Sequence, residues 1–141
     1  MTPLAALQAT LAGEHAALYV YGVLGGRVSS SHQRALAARI TAAYTTHRAR
    51  RDQLTVLVRG AGGDPVAAEP SYQLPGPGRT PAQLAAAARV IERRCAAVYA
   101  EAVGSTSRAD RAWALHALSD AAVRELSFGG SPTEFPGAPD L

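Results

Sequence analysis

Between Gly60 and Thr80 the chain reads GAGGDPVAAEPSYQLPGPGRT, and the reading of this stretch decides the fold. Its opening, Gly60-Ala61-Gly62-Gly63-Asp64-Pro65, stops a helix, because glycine readily leaves helical geometry and Pro65 has no amide to continue the ladder. Its close starts another: Thr80 is an N-cap, Pro81 fills the first helical position and Gln83 completes a capping box. The about 20 residues between those signals show no helical period and are long for a connection inside a compact domain. The segment Glu69-Pro70-Ser71-Tyr72-Gln73-Leu74-Pro75 sets two large apolar anchors among prolines, which suits an ordered, extended strap better than a disordered linker.

Working outward, a second helix is predicted from an N-cap at Ser30, with Gln33 three residues on, to about Arg59. The first runs from Thr2 and Pro3 to about Leu24, where Gly25-Gly26 ends it. The third runs from Thr80 to about Val103. After Gly104-Ser105-Thr106 the fourth opens at Ser107, with Asp110 as its N3 acid, and ends near Phe128 before Gly129-Gly130. Tight loops join helices one to two and three to four, so each pair forms an antiparallel hairpin. A helix of about 23 residues is about 35 Å long, which an extended strap of about 20 residues can span end to end. Two hairpins joined by one long crossover between helices two and three define an all-α, ferritin-like four-helix bundle over residues 1–128, with residues 129–141 as a Pro/Gly-rich tail packed on it through Phe135.

Composition agrees. The 141 residues suit one domain; 48% are apolar, Ala dominates them, and only one Trp and two Phe occur, which favours closely packed helices over strands. No apolar run reaches the roughly 18 to 20 residues of a membrane span, and Met-Thr-Pro-Leu is not a signal-peptide start, so a cytoplasmic protein is expected. Cys95 stands alone and supports neither a disulfide nor a Cys-rich metal site. All 14 cationic residues are Arg, yet the net charge is only +3 and no aromatic interleaving accompanies Arg48, Arg59, Arg93 and Arg94, so nucleic-acid binding is not expected. There is no phosphate-binding Gly-rich loop, nucleophile elbow or His-Glu-x-x-His.

The chemistry lies in the seams. In helix one Leu4, Leu7, Leu11, Glu14, Leu18 and Tyr21 alternate by three and four, which puts a carboxylate among core positions. In helix two the comparable stripe is Ala37, Ile40, Tyr44, His47, Arg51, Leu54 and Val58. Helix three carries Glu92 one step off the seam of Leu84, Ala88, Ile91, Cys95 and Val98, with Tyr99 two turns along on the same side. Helix four offers two competing stripes, one through Trp113, His116, Asp120 and Val123, the other through Leu115, Leu118, Ala122 and Leu126. A dinuclear iron centre in such a bundle takes a Glu from each of two helices and a Glu-x-x-His from each of the others. Glu14 and Glu92 fit the first role, but Tyr44 and Trp113 stand where the bridging acids before His47 and His116 belong. Counted from the hairpin centre, His47 also lies about seven residues further out than Glu14, an offset of about 10 Å that argues against shared ligation. Ion pairing of the two acids with Arg50, Arg51 or Arg124 is the simpler expectation, and His15 is expected to make a surface hydrogen bond.

Glu14-His15-Ala16-Ala17, Tyr21-Gly22, the His47 to Asp52 cluster, Tyr72-x-Leu74-Pro75, Glu92, Ala122-Val123-Arg124 and Phe135-Pro136-Gly137 resemble the bacterial ferritin-like family called domain of unknown function 4439. The resemblance covers nearly the whole chain. It implies the bundle fold and supplies no activity. It marks Glu14, His15, His47, Arg50, Arg51, Asp52, Tyr72, Glu92 and Arg124 as the positions to test. The expected protein is a bundle with an incomplete dinuclear site, leaning away from catalysis and toward a structural, small-ligand or partner-binding role. No cofactor is expected; iron or manganese held by Glu14, His47, Glu92 and His116, for redox or oxygen chemistry, is one alternative, and an Arg-mediated nucleic-acid or protein interaction is the other. Leu on more than one face leaves room for a homodimer.

Overall fold

The start signals at Thr2 and Thr80 work as written. Thr2 accepts the Ala5 amide at 3.2 Å and opens α1, Pro3–Arg27. Thr80 and Gln83 form a reciprocal capping box at the head of α3, Pro81–Ser105. With α2, Arg34–Gly60, and α4, Arg108–Ser127, they make up the computed structural model, which describes residues 1–138 and contains no strand among them. The final residues of the expected tail, 139–141, lie outside the described residues.

Two predicted boundaries are corrected. Gly25 and Gly26 do not stop α1: both stay helical, and the Val28 amide closes the last turn on the Leu24 carbonyl at 2.9 Å. The added turn has a use, since Arg27 donates to the Pro77 and Gly78 carbonyls at 3.0 and 3.1 Å and holds the far end of the crossover. Ser30 does not cap α2 either. Ser29 accepts the His32 amide at 3.2 Å and His32 Nδ1 lies 3.0 Å from its hydroxyl, so the serines build a turn and α2 starts three residues late, with Gln33 in the N-cap position and Arg34 as its first residue. At the head of α4, Ser107 takes the N-cap position without a side-chain cap bond.

Packing follows the hairpin reading. α1 packs against α2 and α3, and α3 against α4, with α1 and α3 antiparallel and α2 and α3 parallel on the diagonal. One long connection between parallel second and third helices is the connectivity of ferritin-like bundles. The crossover runs along α1: Gln8 donates to the Asp64 carbonyl at 2.5 Å, His15 meets the Val66 carbonyl at 2.9 Å, and Tyr72 packs on Tyr19 with ring centroids 5.7 Å apart. Small residues let the helices close up. Ala87, Ala88 and Ala96 of α3 and Ala114, Ala117 and Ala121 of α4 are buried, so α4 turns inward a face of alanines that neither expected stripe contained. Leu115, Val123 and Leu126 stay exposed for the same reason.

One apolar cluster gathers Leu24, Ile40, Leu84 and Phe128 at one end of the bundle, and another joins Leu7, Leu11, Leu54 and Val58 at the other. Glu14, His47, Arg50 and Glu92 lie between them. The tail meets α3 at Gly137, whose φ is 76° and whose missing Cβ would sit 2.2 Å from the Ala96 carbonyl oxygen. Gly137→Ala is therefore expected to cost more than about 1 kcal/mol or to lift the tail, because the opposing atoms are backbone and cannot yield. Hydrogen exchange of the Ala138 amide, which donates to the Phe135 carbonyl at 3.1 Å, checks this: in the variant it should exchange several-fold faster than in the parent, and equal rates would refute the close fit.

Candidate functional site

Glu14 and Tyr21 stand seven residues apart on α1, and Glu92 and Tyr99 stand seven apart on α3. Because the two helices run antiparallel, the equal spacing produces reciprocal pairs: Tyr99 donates to Glu14, and Tyr21 donates to Glu92 at 2.5 Å. His47 of α2 sits between the carboxylates, with Nδ1 2.6 Å from Glu14 and Nε2 3.0 Å from Glu92, and stacks on Tyr21. The expected offset between Glu14 and His47 is thereby corrected. Glu14 lies thirteen residues before Arg27 and His47 thirteen after Arg34, so the true helix ends put them level.

From Glu92 the network passes to α4. Arg124 donates to Glu92 at 3.1 Å and to Asp120 at 2.5 Å; Arg50 of α2 also donates to Asp120, and to the Tyr99 hydroxyl at 3.3 Å. The result is a closed ring, Glu14–His47–Glu92–Arg124–Asp120–Arg50–Tyr99 and back to Glu14, drawing on all four helices. Three carboxylates face three cations when His47 is protonated, so the ring is neutral. Among the described residues no buried side-chain nitrogen or oxygen lacks a hydrogen-bond partner. That completeness is what makes burial of Glu14, His47, Arg50 and Glu92 tolerable, since a half-satisfied set would cost far more than an apolar core.

With both carboxylates ionised, each ring nitrogen of His47 donates and the imidazole is held as imidazolium. Burial by itself pushes its pKa down, but the hydrogen bonds and charges of Glu14 and Glu92 outweigh burial and raise it from 6.5 to about 9. For Glu92, burial raises the pKa, and His47, Arg124 and Tyr21 together overcome it and hold it below the usual value. Asp120 is lowered in the same way, with Arg124 and Arg50 overcoming burial. Burial first, and the adjacent carboxylates next, keep Tyr21 and the Cys95 thiol protonated; for Tyr99, burial, Cys95 and Glu14 do the same.

Of the positions singled out by sequence, Glu14, His47, Arg50, Glu92 and Arg124 come together; the others do not. Arg51 turns outward to Asp52 at 2.7 Å, because the buried stripe of α2 passes through Leu36, Ile40, Ala43, His47 and Arg50 rather than through Tyr44 and Arg51. His15 and Tyr72 hold the crossover, and His116 is exposed on α4. Tyr99 and Asp120 belong to the ring, Tyr21 donates to its Glu92, and none of the three was singled out. The repeated seven-residue Glu–Tyr spacing and the four-residue Asp120–Arg124 pairing were the signals that could have found them.

These side chains do not fit a dinuclear iron or manganese centre. His47 has no free lone pair, Glu14 and Glu92 spend their oxygens on His47, Arg124 and the two tyrosines, and a cation would have to displace His47 and Arg124. Among the described residues no three His, Cys, Asp or Glu side chains gather around a point suited to a metal ion. The arginines Arg48, Arg59, Arg93 and Arg94 sit on the diagonal helices α2 and α3, and Arg93 is engaged with Glu125 at 2.7 Å. No described helix is long and apolar enough to cross a membrane.

The fold has a counterpart. The crystal structure of a conserved hypothetical protein, rv2844, from Mycobacterium tuberculosis is similar to this chain with a TM-score of 0.82 and 30% identity, over 89% of this chain and 93% of that one. No curated protein matches the sequence. The family described as domain of unknown function 4439 matches residues 6–140, taking in four helices, crossover and tail, and the chain belongs to that family.

Proposed function

We propose that this protein is a metal-free, non-catalytic binding bundle, in which the ion-pair ring fixes helix register and the groove between α2 and α4 receives a small molecule. The observation that supports this reading is a contrast between two parts of the bundle. The ring is closed on itself, with its acids and its base bound to one another. By contrast, α2 and α4 stand apart across a groove of about 570 Å³ whose walls include Thr46, Arg50, Gln53, Trp113, His116 and Asp120. That volume falls within the roughly 300–1,000 Å³ of small-ligand sites. A second cavity of about 510 Å³, between α3 and the tail, is mostly apolar and touches no member of the ring.

Two measurements test the reading. Protein purified without metal-affinity resin should carry no stoichiometric iron or manganese, and adding either should leave Tm unchanged. One or two equivalents bound per chain, lost in Glu14→Ala, would overturn the metal-free assignment. The groove is monitored through Trp113, the single tryptophan of the chain. A screen of small polar molecules followed by its indole N–H resonance should return binders that shift it, and a screen in which none does removes the groove from the function.

A further inference from the structure

We infer that the α2/α4 groove holds a hydrogen phosphate group, free or esterified: an oxyanion that still has a proton to donate. The inference rests on reading that groove as the binding site. Thr46, Arg50 and Gln53 are spaced by four and three and share one face of α2, while Trp113, His116 and Asp120 are spaced by three and four and share one face of α4. The two faces line the same groove. Trp113 Nε1 donates to Gln53 Oε1 at 2.7 Å and closes one end; the Arg50–Asp120 pair forms the floor.

Donors dominate what is left open. Gln53 spends its oxygen on Trp113, so its amide N–H groups remain to give. Among the described residues the Thr46 hydroxyl, Arg50 Nε and the His116 ring make no hydrogen bond, and the absence of buried unsatisfied atoms means the open Arg50 Nε is not sealed away. Of the two guanidinium groups that share the Asp120 carboxylate, Arg124 is also paired with Glu92, and Arg50 is the one that lines the groove. These features select an anion with several acceptor oxygens.

Asp120 narrows the class. Its Oδ2 accepts from both arginines, its Oδ1 accepts from no described residue, and its side chain is 38% exposed at the groove. An ionised acceptor in an anion site repels a fully deprotonated oxyanion and accepts a hydrogen bond from one that keeps a proton. Hydrogen phosphate keeps one at neutral pH; sulfate, of similar size, does not. Discrimination therefore comes from a repulsive element as well as an attractive one.

The test follows the Trp113 indole resonance at pH 6 and constant ionic strength while sodium phosphate, sodium sulfate or phenyl phosphate is added. At that pH about half of a phosphate monoester still keeps its proton. Inorganic phosphate should give a saturable shift, with sulfate at least about tenfold weaker. Thr46→Val, which stays outside the ring, should weaken phosphate by about tenfold or more through loss of one charge-assisted hydrogen bond. Phenyl phosphate binding more tightly than phosphate assigns an ester whose organic part lies on Trp113; equal or weaker binding assigns free phosphate. Sulfate binding as well as phosphate, or phosphate leaving the resonance unmoved, overturns the inference. If other polar molecules move that resonance while phosphate does not, the ligand class fails and the groove stands; if nothing moves it, both fall.

Discussion

His47→Leu is expected to destabilise the protein by roughly 3–5 kcal/mol, the loss seen when one partner of a buried charge pair is removed. The side chain is fully buried and stands between two buried carboxylates. With leucine there, Glu14 keeps only the Tyr99 hydroxyl, Glu92 keeps Tyr21 and Arg124, and the two acids face each other across an apolar side chain. Proton uptake is then the cheapest relief, so the variant should recover more stability than the parent as pH falls from 7 to 5, the parent gaining at this site only the last part of its His47 contribution. Chemical denaturation at pH 7 and pH 5 measures the effect. A second comparison separates charge from packing: adding Glu14→Gln and Glu92→Gln to His47→Leu should restore part of the loss, because the uncompensated charges disappear while the apolar replacement remains. A triple variant less stable than the single one would show that shape, rather than charge, governs the centre.

Much of this architecture was legible because it depends on local signals. The caps at Thr2 and Thr80, the stop from Gly60 to Pro65 and the length of the crossover are each decided within a few residues, and together they define hairpin, strap, hairpin. Glu14 was legible too, since a carboxylate in a leucine seam has few explanations. What escaped depended on register between helices. Gly25-Gly26 and Ser30 read as a stop and a cap, and the anchoring of Arg27 to the crossover overrode the first while the Ser29–His32 turn displaced the second; the few residues involved displaced His47 by a full turn or more relative to Glu14. Drawing the stripe of α2 through Arg51, with Arg50 and Arg51 both left as candidates, was the same kind of error on a smaller scale, because neighbouring arginines point about 100° apart on a helix and only the Asp120 partner on α4 shows which one turns inward. The inward face of α4 was hidden for a different reason: it is made of alanines, and a hydrophobic stripe is sought by its large residues.

Stability should fall as pH rises from about 6.5 to about 9, well below the range in which arginine titrates. The folded state holds His47 protonated to about pH 9, against an ordinary 6.5 when unfolded. A pKa raised on folding means that the folded chain binds the proton more tightly, so the contribution is fully present below pH 6.5, declines through the window and is gone above pH 9. At about 1.4 kcal/mol per pH unit the loss is roughly 3 kcal/mol, enough to move a denaturation midpoint visibly. On the acid side the sign reverses. Glu92 and Asp120 are held below their ordinary values, so their contributions are present above the unfolded carboxylate range and are lost as pH falls through their folded values. The parent should therefore be most stable from about pH 5 to 6.5, and His47→Leu should lose the alkaline decline altogether. Urea titrations of both proteins from pH 5 to 10 decide the matter: a parent as stable at pH 9 as at pH 6.5 would mean that His47 is already neutral in the fold, and the ring would then be an unbalanced set of buried acids rather than a closed and neutral one.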